Sequence, residues 1–262
     1  MGKTCFVTGG SSGIGKGIAL AFAALGHEVV FVHLHDDRNA DAVIEEMQCV
    51  HGVTGWHKSV DLSQPSGPGE AFEFALKKLG HIDVLVNNAG ITRYQSALEL
   101  QVETMDHLYS LNYRAPLLLM HLVAQHMVEI GIPGSIIFTA STRGFRAYPG
   151  DAVYGGLKAA LVRSAESAAL DLAPHGIRVN CIAPGAIQVR DSDEANVFYH
   201  GLGQRIPLGR VGMPQDVAQA AVWLASDGAA YVTGTTVRVD GGLILPGMPE
   251  RVAANQSTGW GR

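Results

Sequence analysis

Short apolar runs and longer amphipathic stretches alternate along nearly the whole chain. The runs at residues 4–8, 29–34, 82–87, 135–140 and 178–182 are brief and show no polar alternation, so they predict strands buried on both faces. Between them, residues 14–25, 38–50, 69–79, 113–130 and 154–172 carry apolar positions at helical spacing or are rich in Ala. Residues 54–61 form a weaker strand candidate and 235–239 a last one. Pro214 opens a helix reaching Ala225, because Pro is tolerated in a first helical turn. Regular alternation of strand and helix requires right-handed crossovers and a parallel sheet covered on both sides. The expectation is a doubly wound α/β fold, with no linker and no internal repeat dividing it.

Composition then narrows the class. Of 262 residues, 47% are hydrophobic, 16% are charged and 32 are Gly, which suits one well-filled domain and leaves little room for two. A formal net charge of -5 without a Lys/Arg cluster gives no general attraction to nucleic acid or anionic membrane. Met1 runs almost directly into the first apolar segment and no stretch is long enough to cross a bilayer, so a cytoplasmic protein is expected. Cys5, Cys49 and Cys181 are odd in number and far apart, as expected of reduced core thiols. Among 11 histidines, His33 and His35 are the tight pair; no further ligand stands at metal-site spacing, and no metal is expected.

In doubly wound folds ligands bind outside the carboxyl ends of the strands, where three loops fall. Thr8-Gly9-Gly10-Ser11-Ser12-Gly13-Ile14-Gly15 joins the first strand to the first helix. Its glycines allow a tight turn and close approach to a pyrophosphate, whose charge suits a helix N-terminus; a plain flexible turn would use similar residues. Asn87-Asn88-Ala89-Gly90 follows the fourth strand, where small and amide residues admit an adenosine and tie neighbouring strands together. Pro184-Gly185 follows the sixth, a bend that can face a nicotinamide.

The candidate chemistry lies with Tyr154 and Lys158. Residues four apart share a helix face, so phenol and ammonium address one small volume. A phenol titrates near 10, and lowering that by roughly 2 to 3 units needs about 3 to 4 kcal/mol of stabilisation of the phenolate. A nearby ammonium and a cationic nicotinamide ring can supply it. Ser141, at the end of the fifth strand run, is placed to hold a substrate hydroxyl or carbonyl while Tyr154 exchanges the proton.

These residues resemble the short-chain dehydrogenases/reductases over nearly the whole chain. Thr8 through Gly15 fits that family's TGxxxGxG loop and Asn87 through Gly90 its NNAG motif. Ser141, Tyr154 and Lys158 match its catalytic set, Asn112 its helix Asn, and Asp240-Gly241-Gly242 the usual closure of its core. The resemblance implies a Rossmann-type domain over residues 1–242 with a tail at 243–262. It also implies hydride transfer to or from C4 of a nicotinamide, with Tyr154 handling the hydroxyl proton. Lys158 would lower the Tyr154 pKa and bind the nicotinamide ribose, and Asn112 would hold a water in the proton relay. The cofactor would rest on Thr8, Gly9, Ser11, Ser12, Gly13, Ile14 and Gly15, with Asp61 and Leu62 at the adenine, Asn88, Ala89 and Gly90 at the adenosine half, and Pro184, Gly185 and Ile187 at the nicotinamide. Val189 departs from the family's Thr, shifting nicotinamide anchoring toward Ile187 or the following loop. His33 stands where an acidic residue would select NAD, and Ser12 where NADP-preferring relatives often carry Arg or Lys. Use of both NAD and NADP is therefore expected, with a slight lean to NADP.

Within the family, residues 134–158 and 205–242 are most similar to glucose 1-dehydrogenases and related aldose dehydrogenases. That implies a sugar or polyol substrate, with Thr92, Arg93, Arg143, Arg146 and Tyr148 as candidate contacts; arginines at subunit contacts would look the same. A 3-oxoacyl-carrier-protein reductase or general carbonyl reductase is the alternative, although no Lys or Arg occurs from Ala115 through Gly134 to dock an acidic carrier. A cofactor-sensing protein without turnover is a third reading, which intact catalytic residues disfavour. Surplus apolar residues at 113–130 and 154–172 suggest subunit contacts, and the family implies a homotetramer. The tail, with Pro246, Met248, Pro249 and Trp260, is expected to dock over a neighbour or over the substrate cleft.

Overall fold

A computed structural model of the chain describes residues 3–190 and 192–245. Its seven strands are β1 (Thr4–Thr8), β2 (Glu28–His33), β3 (Gly55–Ser59), β4 (Val84–Asn87), β5 (Gly134–Thr139), β6 (Ile177–Pro184) and β7 (Thr236–Val239). They form one all-parallel sheet in the order β3-β2-β1-β4-β5-β6-β7. Chain direction across the sheet reverses between β1 and β4, and a crevice opens at that switch point. This is the doubly wound Rossmann-type fold that the alternation predicts.

Consecutive strand residues point to opposite faces, so each run of buried residues feeds two cores. Phe6, Val30, Leu85, Ile136 and Val179 pack beneath α3 (Gly67–Leu79), α5 (Ala115–Glu129) and α6 (Ala152–Leu172). Cys5, Val7, Phe31, Val86 and Ile182 pack beneath α1 (Gly13–Ala24), α2 (Asp37–His51) and α8 (Pro214–Ala225). Burial on both faces explains why the strands read as continuous apolar runs.

The structure differs from the sequence expectation in several places. The expected helix at 113–130 is the end of a longer one: α4 (Val102–Tyr109) leads through a π-turn at Ser110–Arg114 into α5. α4 buries only Leu108, so it leaves almost no apolar stripe to read. A further helix, α7 (Asp193–Gly203), is also mostly exposed and is set by its cap, where Ser192 Oγ accepts the Ala195 N–H at 3.2 Å. Cys5 and Cys181 are buried as expected, whereas Cys49 is exposed on α2. No helix among the described residues is long and apolar enough to cross a membrane. Beyond Leu245 the expected tail contacts, including Trp260, lie outside the described residues.

Candidate active site

A cleft of about 840 Å³ runs across the carboxyl ends of β2, β1, β4, β5 and β6. Its floor is the glycine loop. Gly9 and Gly13 have φ of +70° and +53°, where a side chain is strained. At Gly15 an added Cβ would stand 1.9 Å from the Gly9 carbonyl oxygen, so no other residue fits. Ser12 caps α1 without a side-chain hydrogen bond, and the first turn of α1 holds no acidic residue. The positive end of that helix is left uncompensated toward the cleft, which fits a diphosphate.

Gly9, Ser11, Ser12, Ile14 and Gly15 line the cleft, and so do His33, Asp61, Leu62, Asn88, Ala89 and Gly90. Pro184, Gly185 and Ile187 close its other side. Thr8 does not line the cleft but ties it together: its Oγ1 accepts the Asn88 and Ala89 N–H groups, each at 2.9 Å, while Asn88 Nδ2 donates to the Thr8 carbonyl at 3.0 Å. Gly13 sits under Val189, whose Cγ1 would be 3.2 Å from a Cβ placed there.

Tyr154 and Lys158 come from the first turns of α6 and meet Ser141 at one end of the cleft. The Ser141 side chain lies beside the Tyr154 phenol and favours its ionised form, and Ser141 Oγ accepts the Arg143 N–H at 3.2 Å. Lys158 Nζ is buried, donates to the Thr139 carbonyl at 2.7 Å and lies 5.7 Å from the centre of the Tyr154 ring. Burial pushes the phenol up to about 12, against lowering by the Ser141 hydrogen bond and the Arg143 charge. Burial likewise brings Lys158 down to about 8. Among the protein's own groups, therefore, desolvation outweighs the lowering by Ser141 and Arg143, and the phenol is not the low-pKa group that the helical spacing suggests. Asn112, on the π-turn, donates through Nδ2 to the Ile91 and Leu108 carbonyls, both at 3.1 Å. Its Oδ1 is buried with no hydrogen-bond partner among the described residues, and a Cβ on Gly90 would come within 2.6 Å of it.

Of the expected substrate contacts, Thr92 and Arg93 line the cleft, whereas Arg143, Arg146 and Tyr148 line a neighbouring groove of about 540 Å³. Arg143 is held between the Tyr94 and Tyr148 rings, 4.6 Å from each, and pairs with buried Asp151 at 3.0 Å. Its guanidinium therefore supports the Ser141 loop from behind. Tyr94, His107, Leu111, Arg190 and Tyr199 line the cleft without having been singled out in the sequence. Tyr199, on α7, accepts the Val189 N–H at 3.3 Å, bringing a hydroxyl to the position where the family's Thr is missing. The departure at Val189 pointed to this following segment; nothing in the sequence pointed to Tyr199 itself.

His33 pairs with His57 of β3 rather than with His35, which turns away at φ +52°. His33, Asp37 and His57 bring three ligand-type atoms within 4.8 Å of one another. Hydrogen bonding argues against an ion between them. The Asp36 N–H donates to His33 Nδ1 at 3.2 Å, so a neutral His33 carries its proton on Nε2, the atom that faces His57 Nδ1 at 2.9 Å. Metal binding at Nε2 would move that proton to Nδ1, against the Asp36 N–H.

Residues 9–244 match the family model described as enoyl-(acyl carrier protein) reductase. A 3-oxoacyl-[acyl-carrier-protein] reductase of Thermotoga maritima is 34% identical over 93% of this chain and 98% of its own length. An L-rhamnose 1-dehydrogenase (NAD(P)(+)) of a Sphingomonas strain is 34% identical over 93% of this chain and 97% of its own. Among solved structures, a short-chain type dehydrogenase/reductase from Mycobacterium marinum superposes with a TM-score of 0.86 at 33% identity, covering 94% of this chain and 96% of that one.

Proposed function

The chain belongs to the short-chain dehydrogenase/reductase family of NAD(P)-dependent oxidoreductases, and on that footing we propose that it interconverts a ring or secondary hydroxyl and a carbonyl on a sugar or polyol, an aldose yielding a lactone. The reading is carried by one observation: Ser141, Tyr154 and buried Lys158 together close one end of a cleft whose floor is the glycine loop. A nicotinamide dinucleotide held in this cleft would supply the hydride acceptor or donor and, when oxidised, a positive charge that favours the phenolate. Ser141 holds the substrate oxygen and Tyr154 exchanges its proton. Lys158 would hold the nicotinamide ribose and stabilise phenolate as it forms, and Asn112 Oδ1, without a partner among the described residues, would orient a water in the proton path. Thr92 and Arg93, joined by Arg190 and Tyr199, offer the substrate hydroxyls polar partners, while Arg143, Arg146 and Tyr148 hold the Ser141 loop.

Both cofactors are used, with a slight lean to NADP, supported by the absence of an acid at His33 and by the dual cofactor in the Sphingomonas relative's name. The protein assembles as a homotetramer: Val102, Met105 and Tyr109 form an exposed apolar row on α4, and Leu118 is exposed on α5. A second reading, reduction of a 3-oxoacyl carrier protein, is favoured by the Thermotoga relative and disfavoured by a region 115–134 without Lys or Arg.

The test is a panel of aldoses, polyols and 3-oxoacyl substrates, free and carrier-bound, assayed with each cofactor by nicotinamide absorbance. An aldose or polyol should turn over faster than any carrier-bound substrate; the reverse order would favour the second reading. Tyr154→Phe should cut turnover by about 10² to 10⁴ while leaving the cofactor Kd within about twofold. Turnover that survives in this variant would remove Tyr154 from the chemistry.

A further inference from the structure

At the end of the cleft farthest from Tyr154, a chain of hydrogen bonds runs from the cleft wall to the surface, and no step of the reaction uses it. The Asp36 N–H donates to His33 Nδ1 at 3.2 Å, His33 Nε2 meets His57 Nδ1 at 2.9 Å, and His57 Nε2 meets Asp41 Oδ1 at 2.9 Å. A backbone N–H can only donate and a carboxylate only accept, so the direction of every link is fixed when both rings are neutral. His33 then donates to His57, and His57 to Asp41. Phe31 stacks on the His57 ring at 5.7 Å and 20°, fixing its plane. His33 is only 4% exposed, yet it lines the cleft together with Asp36, Leu34 and Ser12.

The surrounding charges are mostly negative. Asp36 caps α2, which contributes Asp37 and Asp41, with Asp37 3.7 Å from His33 Nε2; Arg38 on the same helix is exposed and does not line the cleft. On β3, Lys58 is paired with Glu70 of α3 at 2.8 Å. On α1, Lys16 is paired with Glu46 at 3.1 Å. His35 gives its N–H to Ser59 Oγ, and Asp61 is held by Ser63. Among the described residues, no Lys or Arg lines this end of the cleft; the basic groups that line it are His33 and, beside Asp61, His107.

Resting on the reading that a nicotinamide dinucleotide lies with its adenosine ribose at this end, we infer that the His33–His57–Asp41 chain discriminates at the ribose 2′ position, taking up a proton when that position bears a phosphate and staying neutral when it bears a hydroxyl. A proton added at His33 Nδ1 can no longer face the Asp36 N–H as an acceptor. Two donors, the imidazolium Nδ1–H and the Asp36 N–H, then converge on the cleft, where a phosphate oxygen can accept both. A 2′-hydroxyl needs no such change and sits against neutral His33 and the Asp36 carboxylate. Burial lowers His33 below its usual 6.5, so the free protein takes up this proton only on the acid side of that value, while a bound phosphate draws it up at higher pH. Proton uptake linked to one ligand and not the other makes the ratio of their affinities depend on pH, by at most about tenfold per unit for one proton.

Isothermal titration of the full chain with NADP⁺ and NAD⁺, at pH 7 in buffers of different ionisation enthalpy, counts the protons directly. About half a proton or more should accompany NADP⁺ beyond any accompanying NAD⁺. The affinity ratio should move toward NADP⁺ by about fivefold or more from pH 8.5 to pH 6.5, and His33→Gln, which removes the group that takes up the proton, should flatten that slope. Titration of the phosphate itself adds to the NADP⁺ count in both proteins, so the excess assigned to the imidazole is the part that His33→Gln removes. Equal proton counts for the two cofactors in the wild-type chain would overturn the inference, and so would an unchanged slope in His33→Gln. Failure of both dinucleotides to bind at any pH would instead sink the cofactor reading on which it rests.

Discussion

Lys158 combines a buried ammonium with a single hydrogen bond to the Thr139 carbonyl, an arrangement that favours function over stability. Its folded pKa of about 8 lies below its ordinary 10.5, so protonation opposes folding. Below pH 8 both states are protonated and the full penalty, roughly 3 kcal/mol, is present; between pH 8 and 10.5 the folded state sheds the proton first and the penalty fades. Lys158→Met should therefore be inactive yet more stable at pH 7, by about 2 kcal/mol after roughly 1 kcal/mol is subtracted for the lost hydrogen bond. The advantage should shrink toward pH 10.5 when urea midpoints are compared. Equal or lower stability of the variant at pH 7 would show that the ammonium is better compensated than its surroundings suggest. The role of Lys158 was legible because Tyr154 and Lys158 are one helical turn apart. The opposing influence of burial was not, since it depends on what the sheet and α5 place around α6.

At the scale of elements, β1 and β4 are held at the crevice by Thr8. Its hydroxyl is the acceptor for two backbone N–H groups of the 87–90 loop, and neither finds another acceptor if it is lost. Thr8→Val keeps the shape and removes the acceptor, and should cost about 2 to 4 kcal/mol in urea unfolding, with Thr8→Ser recovering most of it. Thr8 was legible as a motif residue, but the sequence suggested cofactor contact where the structure gives it a fastening role. α4 and α7 escaped the hydrophobic pattern because both are largely exposed. α7 nonetheless brings Tyr199 to the cleft beside Val189, a placement set by how the segment folds back and carrying no periodic signal.

The molecule as a whole leaves an apolar surface that a lone subunit would expose to water. Val102, Met105 and Tyr109 lie on one face of α4, Leu118 and Val128 on α5, and Leu170 on α6 is 78% exposed. The proposed homotetramer predicts a mass of roughly 111 kDa, four chains of 27.7 kDa, in light scattering, and Met105→Glu with Tyr109→Glu should shift it to smaller species. A monomer mass for the wild-type chain would refute the assembly. By itself the sequence determined the doubly wound order, the glycine loop and the Tyr154–Lys158 pair, because each is written in contiguous residues or at a fixed helical spacing. Only the tertiary structure decided that His33 meets His57 across two strands, that Arg143 stands behind Ser141 rather than in the cleft, and that burial sets the resting protonation of Tyr154 and Lys158. Those outcomes depend on strand register and on packing between segments far apart in the chain, which no local pattern encodes.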